Sequence, residues 1–202
     1  MDAAADETAR LSADLRHALP DGQIFALYQP IVDLLTGATI GGEVLMRWRH
    51  PDRGLVPPDL FIPVAERNGS IIELGYWVLR HACRQAAAWQ TTHGALAPSK
   101  ISVNVSARQL AEPDFADQVQ AILHETGAEA SRLVLEVTET AVLATGTAIS
   151  QLHRLRAPTR QELRLAIVTW IEKTYHRRRR QNALGRLTPI EYETLHHTAH
   201  AA

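Results

Sequence analysis

Apolar and polar positions along the chain follow two rhythms. Over residues 7–19 the apolar positions recur at helical spacing, with Leu11, Leu15 and Ala18 on one face. Pro20-Asp21-Gly22 then breaks the helix. Residues 25–32 read as a strand. Pro30 near its middle withholds a ladder N–H, which predicts an edge or irregular strand. The Thr36-Gly37 turn hands the chain to residues 39–48, its predicted hairpin partner. Residues 50–58 carry enough Pro and Gly to read as a loop, and 59–66 as a short helix stopped by Asn68-Gly69. The strongest helix covers 71–90. There Ile72, Leu79, Cys83 and Ala86 share a face that Val78, Ala82 and Trp89 widen.

Beyond it the pattern alternates between periods. Residues 100–105 form a strand with Ile101, Val103 and Val105 apolar, and Ser106-Ala107-Arg108-Gln109 has the S-x-x-Q form of a helix cap. A helix over 114–126 ends at Gly127, a strand follows over 133–137, and a third helix over 147–156. Strand, polar end, helix, repeated, predicts an α/β fold of parallel strands joined by helices. Ligands in such folds gather at the carboxyl ends of the strands. Glu43, Asn104 and Glu136 each fall at a predicted strand end, so they are expected to converge on one mouth. Glu43 and Arg47, four apart, suit a hard cation and a phosphate. Taken alone, they equally suit an ordinary surface ion pair.

Composition narrows the class. The 202 residues are 46% hydrophobic and 21% charged, as in soluble globular proteins, and hold one medium domain or a domain with an appendage. The single cysteine, Cys83, excludes an intramolecular disulfide and fits a reducing compartment. The acidic first residues lack the basic-then-apolar order of a signal peptide, and no apolar run approaches the roughly 18 residues of a membrane helix. A cytoplasmic location is expected. The net charge of −1 hides an asymmetry: from Pro158 onward there are 8 Lys and Arg against 4 Asp and Glu, and before it 13 against 18. An acidic body with a basic tail implies two pieces with different partners.

Six segments, in order, carry a family resemblance. They are Tyr28-Gln29-Pro30-Ile31; Gly42-Glu43-Val44-Leu45-Met46-Arg47-Trp48; Pro58-Asp59-Leu60-Phe61-Ile62-Pro63-Val64-Ala65-Glu66; Leu74-Gly75-Tyr76-Trp77-Val78-Leu79; Ser102-Val103-Asn104-Val105-Ser106; and Leu135-Glu136-Val137-Thr138-Glu139-Thr140. Over residues 8–157 the chain resembles the EAL family of cyclic di-GMP phosphodiesterases, with Val44 in place of the alanine that gives the family its name, so that 1–157 reads as one portion. The resemblance implies an α/β fold, a modified (β/α)8 barrel. It implies hydrolysis of cyclic di-GMP to the linear dinucleotide with the help of two Mg²⁺ or Mn²⁺ ions. Residue by residue, Glu43, Asn104 and Glu136 match metal ligands. Gln29, the Leu45 backbone and Arg47 match substrate contacts, and Glu139 matches the anchor of a catalytic loop.

The pattern stops after Ala157. The family would continue into a strand ending in paired aspartates and a Gly-rich loop, yet the last aspartate of this chain is Asp117. A barrel of this class needs about 250 residues, so only its first portion is expected, without catalytic competence. Residues 158–202 instead resemble the C-terminal end of an insertion-sequence transposase of the retroviral-integrase type. The resemblance rests on Trp170-Ile171, Tyr175, Arg179, Leu184-Gly185, Thr188-Pro189 and Tyr192-Glu193. A helix is predicted from the capping pattern at Thr159 through Leu163, Ile167 and Trp170, and a second from Thr188-Pro189. Arg177, Arg178, Arg179 and Arg180 fit either a salt-sensitive grip on DNA phosphates or a solvated basic surface. Three functions therefore stand as expectations: a catalytically silent phosphodiesterase relative, a cyclic di-GMP binder that does not cleave, and weak DNA contact through the tail.

Overall fold

The computed structural model describes residues 3–137, 146–156 and 164–167. Helix α1 (Ala3–Ala18) buries Leu11, Leu15 and Ala18, the face its periodicity marked. The chain reverses at Gly22, whose N–H reaches the Leu19 carbonyl, and enters β1 (Ile24–Val32). Strand β2 (Thr39–His50) pairs with it antiparallel. The turn between them is built by Asp33, whose Oδ1 accepts from the Leu35 and Thr36 backbone N–H groups. Gly37 takes φ of 69°, where a side chain is disfavoured.

Residues read as a loop after His50 include a short strand, β3 (Gly54–Val56), antiparallel to the end of β2. Its partner is already ordered by the Trp48 packing, so a three-residue ladder forms despite the turn-rich sequence. Helix α2 (Pro58–Asn68) starts with Pro at its first position and ends at Gly69, whose φ of 90° closes it. Helix α3 (Ser70–His93) follows at once. Its buried face runs from Ile71 through Leu74, Val78, Leu79, Ala82 and Cys83 to Ala86, while Ile72 is only half-buried beside that stripe.

Then come β4 (Lys100–Val105), the one-turn helix α4 (Ala107–Leu110), α5 (Phe115–Thr126) and β5 (Leu133–Val137). Helix α6 (Gly146–Arg156) leads to β6 (Arg164–Ile167). The sheet order is β1-β2-β4-β5-β6, with β3 on the flank of β2. The β2–β4, β4–β5 and β5–β6 pairs are all parallel. This is a mixed α/β sheet of the partial-barrel kind.

Strand β6 corrects two expectations. Residues 164–167 were predicted to lie in a helix and to fall beyond the last strand of the pattern, but they pair with β5. Without them β5 would present one edge of unpaired N–H and C=O groups, and satisfying that row outweighs a local capping pattern. The remainder of the predicted tail helices, Glu139 and Arg177 to Arg180 lie outside the described residues.

Two apolar clusters hold the layers. In the larger, Val44, Val103, Val105, Leu133 and Leu135 on one sheet face meet α3, α5 and α6. In the smaller, Trp48 is enclosed by α1, α2 and the start of α3. Each fully buried large apolar side chain contributes about 1.5–3 kcal/mol. Gln151 on α6 is buried among them, accepting from Ala116 N–H at 3.0 Å and donating to the Pro113 carbonyl at 2.7 Å, which ties α6 to the start of α5.

Candidate functional site

Side chains alternate across a strand, so register decides which residues share a face. Gln29 stands opposite Glu43, Glu43 beside Ser102, and Asn104 beside Glu136. Leu45 and Arg47 follow Glu43 at even steps. All six candidate residues within the described strands therefore occupy the sheet face opposite the helices. That face is open: Leu27 on it is 47% exposed, and Gln29 and Asn104 are exposed.

Asn104 and Glu136 sit one residue from the ends of their strands, as expected. Glu43 does not. It lies in the interior of β2, because β2 stays paired with β1 as far as Trp48, well past the end of its pairing with β4. What brings Glu43 to the other two is lateral register, not a shared strand end. The Asn104 amide donates to Glu43 Oε1 at 2.9 Å. The Glu136 carboxyl is pushed above the ordinary 4.5, first by burial and then by the nearby Glu43 carboxylate, with the Ser102 hydroxyl pulling the other way. Arg47 is half-buried, its Nη1 on the Met46 carbonyl at 2.9 Å.

A cavity of about 640 Å³ opens at this end of the sheet. Leu45, Arg47, Asn104 and Glu136 line it, whereas Gln29 and Glu43 lie outside its wall. Pairing of β2 with β4 stops at Val44 and Val103, and the strands part above that point. The cavity occupies the gap and reaches α3 at Ile71, Gly75 and Val78. The outer wall is α2, with Asp59, Ile62 and Glu66. Sequence reading attached no role to Asp59 or Glu66, although both stand inside a segment that carried the resemblance, and to Gln109 it attached only the helix cap.

Beneath the cavity, α4 is locked in place. Ser106 Oγ accepts from Gln109 N–H and the Ser106 N–H donates to Gln109 Oε1, the reciprocal cap that the S-x-x-Q pattern predicted. The Gln109 side chain is buried against Gly75, where a Cβ on α3 would collide with its amide.

Two carboxylates and an amide converge here, an all-oxygen donor set that suits a hard divalent cation. The electrostatics agree in sign, since a cation would favour the ionised form that burial, and then Glu43, disfavour at Glu136. Among the described residues, no three His, Cys, Asp or Glu side chains cluster, so the set is two acids plus Asn104.

Comparison with known proteins gives these positions a context. The EAL domain pattern matches residues 12–166, which takes in most of β6. An uncharacterized signaling protein of Caulobacter vibrioides is 44% identical over 158 residues, 78% of this chain and 19% of that protein. The bifunctional diguanylate cyclase/cyclic di-GMP phosphodiesterase MucR of Pseudomonas aeruginosa is 43% identical over 143 residues, 71% of this chain and 21% of its own length. The chain thus spans about a fifth of each relative. The solved PaMucR phosphodiesterase, a c-di-GMP complex, superposes with a TM-score of 0.65 at 41% identity, covering 72% of this chain and 57% of that one.

Proposed function

The chain belongs to the EAL domain family, and on that footing we propose that it is a relative of the cyclic di-GMP phosphodiesterases that retains the first part of the site and does not complete hydrolysis. One observation carries the reading. The family resemblance calls for a strand after α6 that ends in paired aspartates; here β6 ends in Ala166-Ile167 with Val168-Thr169 next, and no aspartate occurs after Asp117.

Glu43, Asn104 and Glu136 are the residues that would hold a divalent cation, Mg²⁺ or Mn²⁺ by family. When bound, that ion would polarise a phosphoryl oxygen and lower the pKa of a water. Valine and threonine offer no carboxylate for a second ion. Arg47 directs a guanidinium toward a phosphate in the cavity, and Leu45 supplies an apolar wall with its backbone beside it. Glu139 would anchor the loop beyond β5.

Incubation with Mg²⁺ or Mn²⁺ and cyclic di-GMP is expected to give no linear product. Metal-dependent turnover abolished by Glu43→Ala would overturn the proposal. The shared cavity of Leu45, Arg47, Asn104 and Glu136 favours a second reading, a binder that holds cyclic di-GMP uncleaved. Calorimetry separates the two: heat lost in Arg47→Ala supports binding, and none from the wild type excludes it.

For the residues beyond the EAL match the proposal keeps the transposase-like reading, with the expected EAL-derived portion 1–157 extended to take in β6. The basic charge of this segment favours a DNA contact through Arg177 to Arg180. Affinity falling steeply with salt, and lost when those four are replaced, is the expected signature.

A further inference from the structure

The four-residue helix that follows Asn104 does more than end β4. Arg108 projects from it to the carboxyl end of α2, where its Nη1 donates to the Glu66 carbonyl at 2.7 Å and to the Arg67 carbonyl at 3.3 Å. These are last-turn carbonyls, which have no partner inside the helix and carry its negative pole. The guanidinium also lies against Gly69, the left-handed residue that closes α2, 3.4 Å from where a Cβ would be. On its other side α2 is held by Asn68, which donates to Ser12 Oγ on α1 at 2.9 Å.

Opposite walls of the cavity are thereby joined. Pro58, Ile62 and Glu66 of α2 form one, and Asn104, Ser106 and Gln109 the other. Between them β2 and β4 have parted, so no strand pairing fixes the width. We propose that Arg108 is a positioning residue that sets the distance of α2 from the end of β4, and with it the fit of a phosphate-bearing ligand in the cavity. The ligand clause rests on the binding reading given above; the clamp itself does not.

Arg108→Met keeps the apolar stem and removes charge and donors. Arg108→Lys keeps a cation and its N–H donors on a flexible stem. Hydrogen exchange of the wild type and both variants, without ligand, reads the clamp. Amides of residues 65–69 are expected to exchange about tenfold faster in Arg108→Met, the scale of one charged hydrogen bond, and to return toward wild type in Arg108→Lys. Unchanged exchange overturns the inference. So does acceleration spread evenly over α1, α3 and α5, which marks general destabilisation.

Titration with cyclic di-GMP and Mg²⁺ reads the fit. An affinity loss of about fivefold in Arg108→Met, recovered in Arg108→Lys, supports it, and equal affinity in all three overturns it. If the wild type gives no heat, the binding reading fails, and exchange alone decides the clamp.

Discussion

Gly75 on α3 faces Gln109 so closely that a Cβ would lie 2.8 Å from its Oε1 and nearer still to Cδ and Nε2. Gly75→Ala therefore requires Gln109 to leave. Gln109 is 1% exposed and supplies half of the Ser106 cap, so it has nowhere to go without cost. Losing the cap costs about 1 kcal/mol. Overfilling a packed site costs about 1–3 kcal/mol. Alanine in place of glycine inside a helix returns about 1 kcal/mol. The expected net is a destabilisation of about 1–3 kcal/mol. In a Gln109→Ala background both penalties have already been removed, and Gly75→Ala should stabilise by about 0.5–1 kcal/mol. The sign reverses. Urea unfolding of the four proteins, followed by circular dichroism, closes the cycle with a coupling of about 2 kcal/mol, far above the about 0.5 kcal/mol of independent sites. Equal cost in both backgrounds would refute the contact as the cause.

Further expectations concern titration and the edges of the core. The folded Glu136 carboxyl titrates above its ordinary 4.5, so the native state binds more protons than the unfolded chain as pH rises past that value. Stability is full below the unfolded value and is lost as pH climbs through the folded one. Glu136→Gln should match wild type near about pH 4 and exceed it near about pH 8; a difference that does not change with pH would count against this. Burial pushes the Cys83 thiol up to about 12, against a weaker pull from Thr126, so iodoacetamide should label it only after unfolding. Labelling of the folded chain would mean that α3 opens locally. Gln151→Leu should cost about 1–3 kcal/mol by stranding the Ala116 N–H, while the Pro113 carbonyl keeps its bond from Arg154. A loss below about 0.5 kcal/mol would show that α6 docks without it.

Periodic segments were legible because burial imposes their spacing. The Leu11, Leu15, Ala18 stripe, the long α3 and the alternating Ile101, Val103, Val105 all fold as their patterns state. Punctuation was legible for the same reason: Gly69 and Gly127 close helices in the left-handed region, and Ser106 and Gln109 cap one. What failed depends on partners remote in sequence. Residues 164–167 carry a helical signal, yet the free edge of β5 claims them. Glu43 counts as a strand end only against β4; its hairpin with β1 carries β2 well past it. Gly75 and Gln109 needed three dimensions, since neither 34-residue separation nor residue type foretells that one makes room for the other. The convergence of Glu43, Asn104 and Glu136 was foreseen for an incomplete reason: strand ends account for two of them, and register for the third.

That register has an evolutionary reading. Every candidate residue on β1, β2, β4 and β5 occupies a position of one parity, and the apolar core occupies the other. Loops between the strands can lengthen or shorten by any number and leave this assignment intact. A single inserted or deleted codon within a strand cannot unless a bulge absorbs it, as the register shift between Ile31 and Val32 does, because it exchanges the two sets beyond that point and turns carboxylates into the core. Lineages descending from this sheet should therefore record their length changes in the connections, and inside the strands only in pairs or at bulges.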